Sequence, residues 1–106
     1  MLTARDSVTP VEMLPGVTRR TLNEGERTML CEIALQKDSV VPLHTHPHEQ
    51  IGYLASGRIV FRIGEEEREL RAGDSWCVPG DMPHMVTTLE DSIAIDIFSP
   101  PRDEYR

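Results

Sequence analysis

The stretch Arg58-Ile59-Val60-Phe61-Arg62-Ile63-Gly64-Glu65-Glu66-Glu67-Arg68-Glu69-Leu70 decides the fold class. Ile59, Phe61 and Ile63 fall on one face of an extended chain and Arg58 and Arg62 on the other, the alternation of a half-buried antiparallel strand. Gly64, Glu65 and Glu66 then turn the chain back, so the whole stretch reads as a hairpin with a solvated, Glu-rich tip. The period of two continues on both sides. Met29, Cys31, Ile33 and Leu35 share one face of Thr28 to Leu35, and Ser92 to Phe98 sets Ile93, Ile95 and Ile97 against Ser92, Ala94, Asp96 and Phe98. Shorter strands are expected at Val17 to Leu22, Val40 to His44, Gln50 to Ala55, Glu67 to Leu70, Ser75 to Val78 and His84 to Thr88. Turn residues separate them at Asn23 to Gly25, Pro47, Ser56-Gly57, Gly64, Gly73-Asp74 and Pro79 to Pro83. Many short, evenly punctuated strands without a sustained helical stripe predict an all-β sandwich or barrel.

Composition bounds the rest. The chain has 106 residues, 39% hydrophobic and 27% charged, which fits one small globular domain over 1–106 with a core that needs no disulfide or structural metal. Eleven basic residues against 18 acidic give a net charge of −7, with no basic patch, which speaks against a nucleic-acid partner. Apolar runs such as Ile93 to Ile95 fall far short of the roughly 20 residues that span a bilayer, so no membrane span is expected. Arg5, Asp6 and Ser7 stand where a secretory signal needs an apolar run, and a cytoplasmic protein is expected. Two cysteines, Cys31 and Cys77, are too few for a disulfide framework; both are expected as reduced core residues.

Three of the four histidines lie in His44-Thr45-His46-Pro47-His48. In extended backbone His44 and His46 point to the same side, so two imidazoles can reach one ion. Gln50 opens the next strand, and His84 sits at the mouth of another, which makes a third and a fourth ligand available. Glu49 has the opposite strand parity and is assigned to the rim. His48, beside Pro47, is a possible substitute ligand whose place suggests the turn.

These residues resemble the cupin family. Its first motif, His-x-His, then Glu or Gln, then Gly, is matched by His44, His46, Gln50 and Gly57, and its second motif by Gly73, Pro79, Gly80 and His84. The resemblance implies a jelly-roll β-barrel, the cupin double-stranded β-helix, with one divalent transition metal ion (Zn, Mn, Fe, Co or Ni) held inside by His44, His46, Gln50 and His84. Gln50 replaces the usual Glu. A donor set of three imidazoles and an amide oxygen leaves the charge of the ion uncompensated, favouring Lewis-acid chemistry and a small anionic substrate.

The tail Asp96-Ile97-Phe98-Ser99-Pro100-Pro101-Arg102-Asp103-Glu104-Tyr105 resembles the end of KdgF-type cupins, pectin and alginate degradation proteins that linearise unsaturated uronates. That resemblance implies roles in turnover for Asp96, Phe98 and Arg102. The chemistry is coherent: Arg102 would hold a carboxylate in its planar fork, Asp96 would move protons, and Phe98 would form the apolar wall. Two readings of the last strand stay open. Either Ile93, Ile95 and Ile97 face the core and Asp96 faces water, or the isoleucines pack against another layer or a second subunit, in a homodimer, and Asp96 lines the barrel. A metal-dependent oxygenase, a polyketide-cyclase-like enzyme and a non-catalytic sugar-acid-binding module are the rival functions.

Overall fold

The computed structural model describes residues 1–106. Its regular elements are eight strands, β1 (Val11–Leu14), β2 (Val17–Glu24), β3 (Met29–Leu35), β4 (Val40–His44), β5 (Glu49–Ile63), β6 (Glu66–Arg71), β7 (Ser75–Val78) and β8 (His84–Ser99), with short 3-10 turns at Arg5–Ser7 and Asp103–Tyr105. All pairings are antiparallel, in the order β1-β2-β3-β8-β5-β6, with β4 added to β8 and β7 to β5.

Two long strands organise the fold. β5 and β8 pair along their length, and each changes its outer neighbour half-way: β7 then β6 beside β5, and β4 then β3 beside β8. The two segments expected on either side of Ser56-Gly57 are therefore one strand, as are those on either side of Leu89 to Asp91. Ser56-Gly57 is a bulge where a turn was expected: the β5–β8 register shifts three times between Leu54 and Ile59. Such irregularities bend a strand sharply and let a sheet curl over itself. Gly57 permits this with φ +94°, and a Cβ there would stand 2.1 Å from Ser92 Oγ. β1 escaped the sequence reading because Val11 to Leu14 is short and lies between prolines at 10 and 15. The Arg58–Leu70 hairpin forms as expected, with Ile63 opposite Glu66.

A single core of 14 buried residues, including Met29, Cys31, Ile33, Leu54, Ile59, Phe61, Trp76, Val78 and Phe98, fills the interior. Cys31 is buried as expected. Cys77 is exposed, contrary to expectation, because β7 alternates and turns Trp76 and Val78 inward. On β8 the choice left open by sequence is resolved: Ser92, Ala94, Asp96 and Phe98 point inward, and Ile97 is among the exposed apolar side chains. No helix is long and apolar enough to cross a membrane.

Candidate metal centre and its acidic neighbour

β4 delivers His44, the β4–β5 loop His46, β5 Gln50 and the start of β8 His84; the β4–β8 register sets His44 directly opposite His84. One ligand atom from each of His44, His46 and His84 lies within 4.8 Å of the others. Each ring is oriented by a main-chain carbonyl on its Nδ1: Pro42 O for His44 at 2.8 Å, His48 O for His46 at 3.0 Å and Met82 O for His84 at 2.8 Å. A carbonyl only accepts, so Nδ1 carries the proton and Nε2 of the neutral ring keeps its lone pair. Burial pushes the His84 pKa down to about 4 and lowers that of His46, which favours neutral, ligating rings.

Two further observations fit a metal ion. His84 Nε2 is buried without any hydrogen-bond partner. His46 Nε2 faces Gln50 Oε1 at 3.1 Å, and Gln50 Nε2 donates to Asp96 Oδ1 at 3.0 Å, which fixes the amide with its oxygen toward the histidine. A bare imidazole nitrogen and a carbonyl oxygen are both acceptors. Their approach makes sense if a cation lies beside both, since two ligands each about 2.1 Å from one ion, at right angles, stand about 3 Å apart. His48 is not in the cluster. The nitrogens that converge are those of His44, His46 and His84, and the contribution of His48 is the carbonyl that orients His46. Glu49 is exposed at the start of β5.

Asp96 sits deep in the barrel. Burial pushes its carboxyl up to about 6, against the opposing pull of the Gln50 and Trp76 donors and the Arg102 guanidinium. Trp76 Nε1 donates to Oδ1 at 2.8 Å, the same oxygen that accepts from Gln50. No protein donor reaches Oδ2, which leaves one carboxylate oxygen for a ligand. Asp96 also supplies, one hydrogen bond beyond Gln50, the negative charge that the expected donor set lacked.

Two residues of this network, Trp76 and Gly52, were missed by sequence reasoning. β5 runs between β7 and β8, and Gly52 is the register partner of both Trp76 and Asp96. The two side chains meet across it. A Cβ at Gly52 would stand 2.2 Å from Trp76 Nε1 and 2.5 Å from Asp96 Oδ1. Gly52→Ala should therefore break the Trp76–Asp96 hydrogen bond and cost roughly 1–3 kcal/mol by overpacking. Emission of the single tryptophan together with thermal unfolding checks this; an unshifted spectrum at unchanged Tm would contradict it. The signal in the sequence was a lone glycine in strand phase with Gln50.

Phe98 packs edge-on to His46, ring centres 5.8 Å apart. Arg102, buried beyond Pro100-Pro101, stacks its guanidinium 5.1 Å from the Phe98 ring centre. His44, Gln50, His84, Trp76, Asp96, Phe98 and Arg102 thus line one cavity of about 70 Å³, room for several waters at about 10–15 Å³ each.

Residues 31–98 match the family profile described as Cupin domain. The chain belongs to the cupin family. This cupin is 33% identical over 103 residues, 94% of each chain, to the "Pectin degradation protein KdgF" of Dickeya dadantii (strain 3937). Among solved structures, KdgF from Halomonas sp. superposes with a TM-score of 0.95 at 29% identity, covering 100% of this chain and 98% of that one. An RmlC-like cupin from Shewanella frigidimarina NCIMB 400 also gives 0.95, at 26% identity, over 99% and 95% of the two chains. The polyketide cyclase RemF from Streptomyces resistomycificus, at 21% identity and a TM-score of 0.78 over 95% of this chain and 82% of that one, shares the fold.

Proposed function

We propose that this cupin opens the ring of 4,5-unsaturated uronates to the linear keto-aldehyde form, with one divalent transition metal ion held by His44, His46, Gln50 and His84. The observation that carries the reading is Asp96: a buried carboxylate with one oxygen pinned and the other free, in one cavity with His44, His84 and Arg102. The relation to a protein named for pectin degradation supplies the substrate class.

Ring opening is an isomerisation. The proton leaves the C1 hydroxyl, the bond from C1 to the ring oxygen breaks, the freed oxygen becomes the ketone at C5, and C4 gains a proton. Asp96 can take the first proton and return one to C4, so the carboxylate ends as it began. Arg102, whose Nε and Nη2 edge is taken by Glu104, holds the substrate carboxylate through its remaining N–H groups, and Phe98 keeps water from that side of the ring. A divalent ion bound at the histidines supplies Lewis-acid polarisation of a substrate oxygen.

The assay follows loss of the double-bond absorbance of 4,5-unsaturated galacturonate, corrected for spontaneous opening. Metal-loaded protein should accelerate it equally with and without O₂. No acceleration with any metal sinks the enzyme reading, and a stoichiometric demand for O₂ would favour an oxygenase.

The homodimer is a second part of the proposal. Cys77, Ile51, Ile97 and Leu30 are register neighbours across the outer faces of β7, β5, β8 and β3, an uncharged row on a protein of net charge −7. Nearby Glu32 is neutralised by Arg5 at 2.8 Å, so two copies can approach here without like-charge repulsion. Light scattering should give twice the 12.0 kDa chain mass, and Ile97→Glu should shift it to the monomer. The free thiols Cys31 and Cys77 suit the reducing cytoplasm.

A further inference from the structure

Tyr105 lines the cavity beside Arg102, and Arg19 packs against the Tyr105 ring; neither has had a role so far. Arg19 lies on the inward face of β2 and is 8% exposed, with no carboxylate partner; its Nε donates to Thr21 Oγ1 at 3.2 Å. Thr21 Oγ1 in turn donates to the main-chain oxygen of Tyr105 at 2.6 Å. The guanidinium carbons of Arg19 and Arg102 lie 4.4 and 4.0 Å from the centre of the Tyr105 ring, and Phe98 meets that ring edge-on at 5.4 Å. The last turn of the chain is therefore fixed to the barrel through the Tyr105 ring and its main-chain oxygen. A buried guanidinium without a counter-charge is costly, and an apolar side chain would fill the same space at no such cost.

The hydrogen bonds already made show what this arrangement offers a ligand. Arg102 Nε and Nη2 donate to Glu104 Oε1 at 3.1 and 2.8 Å, and Nη1 donates to Tyr105 Oη at 3.1 Å. Of the five guanidinium N–H groups, two remain without a partner. Tyr105 Oη accepts from Arg102, and its own O–H finds no acceptor in the protein. Tyr105 and Arg102 both line the cavity. Together they present unused donors, with Glu104 already matched to the charge of Arg102 and Arg19 adding an unmatched positive charge behind the ring.

We propose that Tyr105 is a substrate-binding residue beside Arg102, donating its hydroxyl proton to the carboxylate of a sugar acid, and that Arg19 is the positioning residue that holds its ring. The proposal rests on the uronate reading for its substrate class. A carboxylate, which only accepts and carries the opposite charge, makes stronger, charge-assisted bonds to these free donors than the hydroxyl of a neutral sugar does. Tyr105→Phe removes the hydroxyl and keeps the ring, so its effect falls on binding and not on the fold.

The test uses metal-loaded protein and the fluorescence of Trp76, the single tryptophan, which lines the same cavity. Galacturonate is the probe and galactose the neutral control. Tyr105→Phe should weaken galacturonate binding about tenfold, the scale of one hydrogen bond to a charged acceptor, with metal content unchanged and galactose unaffected. Arg19→Met should do the same and Arg19→Lys should restore part of the loss. On unsaturated galacturonate both Tyr105→Phe and Arg19→Met should raise KM more than they lower kcat. Wild-type affinity and KM in Tyr105→Phe would overturn the proposal while leaving the ring-opening reading intact. Weakened binding in a protein that shows no turnover would support the proposal and remove the enzyme reading. A wild-type protein that binds no galacturonate overturns the proposal.

Discussion

Asp96→Asn is expected to lower turnover of 4,5-unsaturated galacturonate by about 10² to 10⁴, the usual worth of general acid–base help, with metal content unchanged. Asparagine keeps the shape of the side chain and an oxygen that can accept from Trp76 Nε1 and Gln50 Nε2, so the network that orients Gln50 survives. What disappears is the free carboxylate oxygen that takes and returns a proton. The measurement pairs corrected absorbance loss with metal analysis of the same preparation. Turnover within a few-fold of wild type would remove Asp96 from proton transfer, and loss of metal together with activity would recast it as a support for Gln50.

The double substitution His44→Ala plus His46→Ala should lose the bound ion and reduce opening of the substrate to its spontaneous rate. His84 and Gln50 alone offer two donors, too few to hold a labile divalent ion against water. The fold should persist, because the 14 apolar core residues are untouched, although His46 is buried and meets one of them, Phe98, edge-on. His48→Ala is the matched control. Its side chain stands apart from the cluster, and the carbonyl that orients His46 belongs to the main chain, which alanine retains. Full metal occupancy in the double variant, by elemental analysis after dialysis, would rule out the histidine site.

The candidate metal centre and the acidic group are one hydrogen-bonded unit. Gln50 faces His46 with its oxygen and Asp96 with its nitrogen, so a change at either end is felt at the other. A carboxylate in place of Gln50 would face Asp96 acceptor to acceptor, and like charges so close in a buried site would force one of them to hold a proton. The amide is therefore what allows a charged Asp96 to sit beside the donor set. Gln50→Glu is thus the substitution to avoid if both functions are to be kept.

Alternation and spacing along the chain are enough to name most of the strands and the motif residues. Period two marks the inward face where a charged residue breaks the opposite one, as Glu32 does in Met29 to Leu35 and Arg62 in Ile59 to Ile63, and the spacing of His44 and His46 places both on one side of an extended chain. The same signal could not choose the face of Ser92 to Phe98, where isoleucines compete with a phenylalanine for the core, because alternation gives the parity of a strand and not which parity its neighbours cover. Nor could it find Gly52, Trp76, Arg19 or Tyr105 as parts of the site. Trp76 and Asp96 are 20 residues apart and meet only because β7 and β8 flank β5 at a position without a side chain. Tyr105 and Arg19 are joined by a turn that folds back from the end of the chain onto β2. Contacts of this kind are set by register between strands distant in sequence, and register is fixed only when the whole barrel closes.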